Sequence, residues 1–246
     1  LILDQMKKIK FLNITFKNFN EKKIKDIIKK NGLFVFPSGP ELSNLRIKST
    51  LHDSLINSDH VFFDSGLFVL LLNIFKNSNI SKFSGYKFLK IFLNFLKKEN
   101  KKVFLVNPNL QLSKSYKKYM SSLNIKCNTY IAPNYNKEKI VDKKLVKLIK
   151  KANAKIIIIN LGGGVQEVLG YFLKKNFDNK VTIICTGAAM AFLTKDQAPI
   201  NTFFDKFYMG WLLRILFKPN IYLPRYFKAI KFIIIFFTNE IIFLKS

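Results

Sequence analysis

The sequence predicts an α/β fold: a Rossmann-like, mostly parallel sheet with helices on both faces, plus a helical C-terminal appendage. Short β-branched or aromatic runs alternate regularly with longer Lys-rich stretches whose apolar residues recur at helical spacing. The short runs are apolar almost throughout, as strands covered on both faces must be. The chain has 246 residues, 49% hydrophobic and 15% aromatic, enough for one large core or two small ones.

In order, "EKKIKDIIKKNG" is a helix with Ile24, Ile27 and Ile28 on one face and a stop at Gly32. The strand "LFVFP" follows, then a helix over about 43–57, the strand "HVFFD", and an apolar helix over about 67–76 leaving Gly66. "KFLKIFLNFLKK" is an amphipathic helix, "KVFLVNP" a strand, "LSKSYKKYMSSL" a helix and "IKCNTYIAP" a strand. Two more units follow: the helix "KEKIVDKKLVKLIKK" with the strand "AKIIIINLG", and the helix "VQEVLGYFLKK" with the strand "KVTIICTG". After about residue 200 the text becomes dense in aromatics and bases, broken by Pro219 and Pro224. The chain therefore divides into an α/β catalytic-type domain, 1–200, and an appendage, 201–246, with no internal repeat or low-complexity linker.

The formal charge is +27, but Arg occurs only at 46, 214 and 225, and Lys is joined by an excess of Asn, Ile and Phe. That joint excess reads as codon bias, and Lys lacks the fork with which Arg grips phosphates and bases. A solvated lysine surface is the plain reading. Attraction to anionic lipid and a basic nucleic-acid-binding module are the partner readings, and they differ in where the charge clusters. Cys127 and Cys185 sit in apolar runs without metal or disulfide spacing, as small hydrophobes in a reducing compartment. No apolar segment reaches the roughly 18 residues a membrane helix needs. The opening "LILDQMKKIKFLN" lacks a signal-peptide pattern, so a cytoplasmic location is expected.

In parallel sheets ligands sit beyond the carboxyl ends of the strands. Pro37-Ser38-Gly39, Asp64, Asn107, Gly162-Gly163-Gly164 and Thr186-Gly187 all end predicted strands, so they should share one rim. "NLGGGVQE" is a Gly-rich strand-to-helix turn able to offer N–H groups to an anion, although it has neither P-loop nor GxGxxG spacing. Gln166 and Glu167 in its first turn are suited to ligand hydroxyls. Asp64 has two readings: the N-cap of the helix that begins near Ser65, or a general base whose pKa is raised by apolar surroundings. In "KFSGYKFL", Ser84 reads as a helix cap. His52 and His60 are isolated, and neither a metal site nor a cofactor is expected. The interleaved "WLLRILFKPNIYLPRY" suits stacked bases, a core helix or a membrane headgroup layer, of which the membrane fits best.

Taken together and in order, these pieces resemble the WecG/TagA/CpsF glycosyltransferase family, from about residue 10 to about residue 230. "FFDSG" resembles the family's strand ending in Asp-Gly, "KFSGYKFL" its "RVAGxDL", and "NLGGGVQE" its "GxGxPKQE". "CTGAAMAFLTKDQAP" is similar to "GVGGxFDFLAGxxxRAP", and "GWLLRILFKPNIYLPRY" to "EWLYRLxxEPxRxxxRY". The departures are Ser38-Gly39 for a Thr/Asn pair, Lys82 for Arg, Ala191 for Asp, Gly210 for Glu and Ile221 for Arg.

The resemblance implies an inverting, metal-independent transfer of an N-acetylmannosamine-type or related sugar from a UDP-sugar to a polyprenyl-diphosphate-linked glycan in cell-surface polysaccharide synthesis. It makes Asp64 the base. Ser38, Gly39, Lys82, Gly85, Asn107, Gly162, Gly163, Gly164, Gln166, Glu167, Gly187, Arg214 and Arg225 become substrate-binding candidates. The two arginines would balance the charge of the departing UDP, and the appendage would close over the site and rest on the inner face of the cytoplasmic membrane or on a second subunit. A non-catalytic UDP-sugar-binding protein of the same fold is the alternative that the departures suggest. Nucleic-acid binding has no need of Asp64 or of the Gln166-Glu167 pair.

Overall fold

The computed structural model describes residues 8–19, 26–27, 29–99, 101–177, 180–197, 220 and 231–244. The chain opens with a hairpin of β1 (Lys8–Phe11) and β2 (Ile14–Lys17). Ile9, Phe11, Ile14 and Phe16 alternate with lysines and are buried, which is the period-two pattern of a half-covered ribbon. Leu12 and Asn13 join the strands with φ of 51° and 62°, the left-handed pair that a two-residue hairpin loop needs to match strand twist.

Next come β3 (Gly32–Val35), α1 (Gly39–Ser43), α2 (Thr50–Ile56), β4 (His60–Phe62), α3 (Gly66–Lys76) and α4 (Gly85–Leu96). They are followed by β5 (Val103–Asn107), α5 (Leu110–Ser122), β6 (Cys127–Ile131), α6 (Lys143–Ala152) and β7 (Ile156–Ile159). The remainder is α7 (Val165–Phe177), β8 (Thr182–Cys185), α8 (Ala189–Leu193), a helical stretch at 231–238 and β9 (Ile241–Leu244). The helix expected over about 43–57 is shorter: only Thr50–Ile56 of it forms α2, and α1 has ended at Ser43. Lys48 adopts φ 64° between them, and Ser49 restarts the chain by accepting the His52 N–H. The same local chemistry starts α3, α4, α5 and α6: Ser65, Ser84, Asn109 and Asp142 each accept the N–H three residues on, which removes one of the orphan donors of a helix start.

The strands form one sheet in the order β6-β5-β7-β8-β3-β4-β2-β1-β9. From β6 to β2 every pairing is parallel, while β1 joins β2 and β9 antiparallel. This is the mostly parallel sheet with helices on both faces that the sequence predicts. Each face carries an apolar cluster, one rich in Phe11, Phe16, Phe63 and Phe68, the other in Phe34, Phe36, Phe62, Phe88 and Phe92. Each such ring contributes about 1.5–3 kcal/mol by leaving water.

The helix expected in "EKKIKDIIKKNG" lies mostly outside the described residues, as do 198–219 and 221–230 of the C-terminal region. What is described of that region joins the sheet and its core. β9 pairs with β1, and Phe232 and Phe236 are buried against Phe11 and Phe68, with ring centroids 5.3–6.3 Å apart. Among the described residues no helix is long and apolar enough to cross a membrane.

Candidate active site

Strand order decides which loops meet. β5, β7, β8, β3 and β4 are consecutive and parallel, so their carboxyl ends form a continuous rim. On it lie Asn107, Gly162–Gly164, Thr186-Gly187, Ser38-Gly39 and Asp64, in that spatial order. Close approaches tie neighbouring loops together. A Cβ on Gly39 would lie 3.2 Å from Ser65 Oγ, and one on Gly85 would lie 3.3 Å from both Phe36 and Thr186. Gly85 thus lets the start of α4 settle onto the ends of β3 and β8.

Asp64 stands at the end of β4 and is half-buried. The cap of α3 is Ser65, whose Oγ accepts the Phe68 N–H at 3.3 Å, so capping is not the task of Asp64. Phe83 N–H donates to Phe63 O at 2.8 Å, so Lys82 and Asp64 leave one backbone junction. Ser84 caps α4, as its sequence suggested.

The Gly-rich turn is held by carboxylate chemistry. Glu167 is buried; its Oε2 accepts the Gly164 N–H at 2.6 Å and its Oε1 accepts Gln166 Nε2–H at 2.7 Å. Gln166 Oε1 in turn accepts the Gly187 N–H at 2.7 Å. The pair expected to meet ligand hydroxyls therefore spends these atoms joining the β7 turn to the β8 loop. Gly164 and Gly187 have φ of 86° and 61°, a backbone that side chains with a Cβ rarely adopt. Behind them α7 is pressed close to the sheet: a Cβ on Gly170 would lie 2.7 Å from Leu33 and 2.9 Å from Cys185 Sγ.

Glu41 was not singled out in the sequence, although Ser38-Gly39-Pro40-Glu41 has the S-x-x-E spacing of a capping box. Its Oε2 accepts the Ser38 N–H at 2.6 Å, and its Oε1 lies only 1.3 Å from where a Cβ of Gly163 would be. Burial and the charge of Glu167 push its carboxyl up to about 8, with Asp64 adding to the effect. Burial pushes Glu167 up to about 7. Among the described residues neither carboxyl has an ion-pair partner.

Asn107 is wholly buried and engaged in the rim itself: its Nδ2–H donates to Ser113 Oγ at 3.1 Å and its Oδ1 accepts from Asn160 Nδ2 at 2.8 Å. Sequence reasoning passed over Asn160, whose only signal was a polar residue closing the run of four isoleucines. Ile159 pairs with Cys185, so Asn160 and Thr186 follow side by side. Both are buried, and among the described residues Asn160 Oδ1 and Thr186 Oγ1 have no hydrogen-bond partner. A buried polar atom left unpaired costs about 1–3 kcal/mol, which marks this place on the rim as one where a ligand atom is worth most. Arg214 and Arg225 lie outside the described residues.

Comparison with known proteins agrees with this architecture. The model of the "Glycosyl transferase WecG/TagA/CpsF family" matches residues 5–245. The chain is also 24% identical over 218 residues to the "N-acetylglucosaminyldiphosphoundecaprenol N-acetyl-beta-D-mannosaminyltransferase" of Bacillus subtilis (strain 168), covering 84% of this chain and 82% of that one. With the match running through the β1 hairpin, the rim and the C-terminal strand, the chain belongs to the WecG/TagA/CpsF family of glycosyl transferases.

Proposed function

We propose that this chain transfers a sugar from a UDP-sugar to a polyprenyl-diphosphate-linked glycan, with inversion and without a metal. The observation that carries the reading is Asp64: a carboxylate at the end of β4, on the same rim as the Gly-rich turn, with the neighbouring helix capped by Ser65 instead. The relative from Bacillus subtilis, named as acting on a lipid diphosphate, supports the acceptor class. Asp64 takes the proton of the acceptor hydroxyl as its oxygen attacks the anomeric carbon, and the bond from that carbon to the diphosphate oxygen breaks. The departing UDP is met by the N–H groups of Gly162 and Gly163 and by Arg214 and Arg225 of the appendage.

Gly39 and Ala191 point to a donor other than the family's usual one. Ser65 crowds the first position, and the second is buried among apolar side chains, where a carboxylate would need a partner. The apolar face of Leu70, Ile74, Phe75, Ile234 and Phe237 is exposed, joined by the Phe75–Phe237 ring contact at 4.9 Å and flanked by Lys76 and Lys231. That combination suits the surface of an anionic membrane, where the acceptor resides.

The test is transfer from a panel of UDP-sugars to a short-chain polyprenyl-diphosphate sugar, comparing the wild type with Asp64→Asn in the presence of EDTA. Turnover that collapses in the variant and ignores the chelator supports the reading. Tight UDP binding without turnover by any donor would instead favour the non-catalytic sugar-nucleotide-binding protein.

A further inference from the structure

The β3 loop and the β7 turn are joined by a side chain that the transfer chemistry leaves unused. Glu41 Oε2 holds the Ser38 N–H at 2.6 Å, while its carboxyl group occupies the space a side chain at 163 would need, with Oε1 at 1.3 Å and Cδ at 2.3 Å from a Cβ built there. On the other side of the turn Glu167 holds the Gly164 N–H, and through Gln166 it reaches Gly187. Two carboxyl groups therefore bracket the Gly162–Gly164 turn and fix three strand-end loops to one another.

We infer that Glu41 is a positioning residue, which locks the Ser38-Gly39 loop onto the Gly-rich turn and so shapes the cradle for the donor's diphosphate. The diphosphate part of this inference rests on the reading of the rim as a UDP-sugar site. Glu41 performs this task as a neutral acid. Half-buried and with no cation paired to it among the described residues, it faces Glu167 across the turn and Asp64 from the end of β4, and both oppose its ionisation. The Cys185 thiol beside the pair is itself held neutral by burial and by both glutamates. Lys137 is the cation nearby, with its Cδ 4.0 Å from a Cβ built on Gly164. A proton lost from the bracket places a negative charge against the incoming diphosphate and against the catalytic carboxylate, so donor affinity falls as pH rises through the titration of the pair.

The experiment measures UDP affinity by calorimetry, and thermal stability, from about pH 5 to about pH 9 for the full chain and for Glu41→Gln, Glu41→Ala and Gly163→Ala. The wild type is expected to lose about tenfold in UDP affinity across the alkaline half of that range, and Glu41→Gln to bind like the wild type at low pH and vary by less than about threefold. Glu41→Ala and Gly163→Ala bind about tenfold more weakly at every pH, because the loops are no longer joined. A Glu41→Gln variant as weak as Glu41→Ala, or one that keeps the alkaline loss, overturns the inference. If the wild type binds no UDP at any pH, the sugar-nucleotide reading fails and the melting curves still judge the lock. A melting temperature that falls with pH in the wild type but less in Glu41→Gln supports the neutral acid, and equal slopes overturn it.

Discussion

The two ends of the sheet treat acidic side chains in opposite ways. At the amino ends of β3 and β4, Asp59 is surrounded by partners: Lys174 Nζ at 2.7 Å from its Oδ1, the Leu33 N–H at 2.8 Å from its Oδ2, and Lys17 on its carbonyl. At the carboxyl ends, Glu41 and Glu167 have backbone N–H groups and a glutamine, and among the described residues no paired cation. The first arrangement satisfies a charge and fastens the strands. The second leaves two carboxyl groups held by neutral donors, with no cation paired to either among the described residues. A sheet with a settled end and an unsettled end is one whose stability and chemistry are separable by mutation.

The largest expected effect is on chemistry alone. Asp64→Asn should lower turnover by about 10²–10⁴-fold, the range for a lost general base. Because Ser65 caps α3, its melting temperature should stay within a degree or two of the wild type's. A parallel loss of stability would return Asp64 to the structural end of the comparison.

A pair of neighbouring glycines tests the rim by steric means. At Gly163 a methyl group meets Glu41, and at Gly162 it meets nothing within 4 Å among the described residues. Gly163→Ala should cost about 2–4 kcal/mol, whereas Gly162→Ala should fall within about 0.5 kcal/mol of the wild type. Urea denaturation of the two variants decides it, and equal effects would remove Glu41 from the turn.

Removing the carboxylate at the settled end should do the reverse of Asp64→Asn. Asp59→Ala takes an acceptor from the Leu33 N–H and a partner from Lys174, which is only partly exposed. The expected cost is about 1–3 kcal/mol, discounted for the solvent that reaches the ion pair. Turnover per folded molecule should be unchanged, measured well below the melting temperature.

Legibility in the sequence followed the same division. Asp64, the Gly-rich turn and the strands that aim them were readable because strand ends in a parallel sheet announce the rim. Which of Asp64 and Ser65 caps α3 was not, since two favoured caps stand one residue apart and only the geometry chooses. Glu41 looked like half of a capping box, and its second role depends on Gly163, which is distant in sequence and meets it only through the adjacency of the β3, β8 and β7 strands. Asn107 read as a ligand group because its partner Asn160 lies 53 residues away. The β1 hairpin and β9 escaped notice because lysines interrupt the first and the second is short. Both become strands only by pairing at the sheet edge.

The smallest effect concerns pH, and here the two ends should pull in opposite directions. His60 stacks on Phe34 with ring centroids 4.3 Å apart, and its Nδ1 faces Lys17 Nζ at 3.4 Å. Burial, then the Lys17 charge, lower it from 6.5 to about 4, with Lys30 and Lys174 acting in the same sense and Asp59 against them. Between those values the unfolded chain binds the proton that the folded one refuses, so stability is present at neutral pH and is lost as pH falls from 6.5 toward 4. Glu41 runs the other way: its carboxyl rises from 4.5 to about 8, so its contribution is present in acid and is lost as pH rises through that interval. Where the windows overlap, the two slopes oppose each other and flatten the wild-type profile. His60→Phe keeps a ring against Phe34, and Lys17 retains the Asp59 carbonyl, so the variant should fold. It should lose about 1 kcal/mol less than the wild type between about pH 7 and about pH 5. Denaturant midpoints at those two pH values measure the difference; an unchanged acid limb would mean that His60 is charged in the fold and that the settled end is less settled than its contacts indicate.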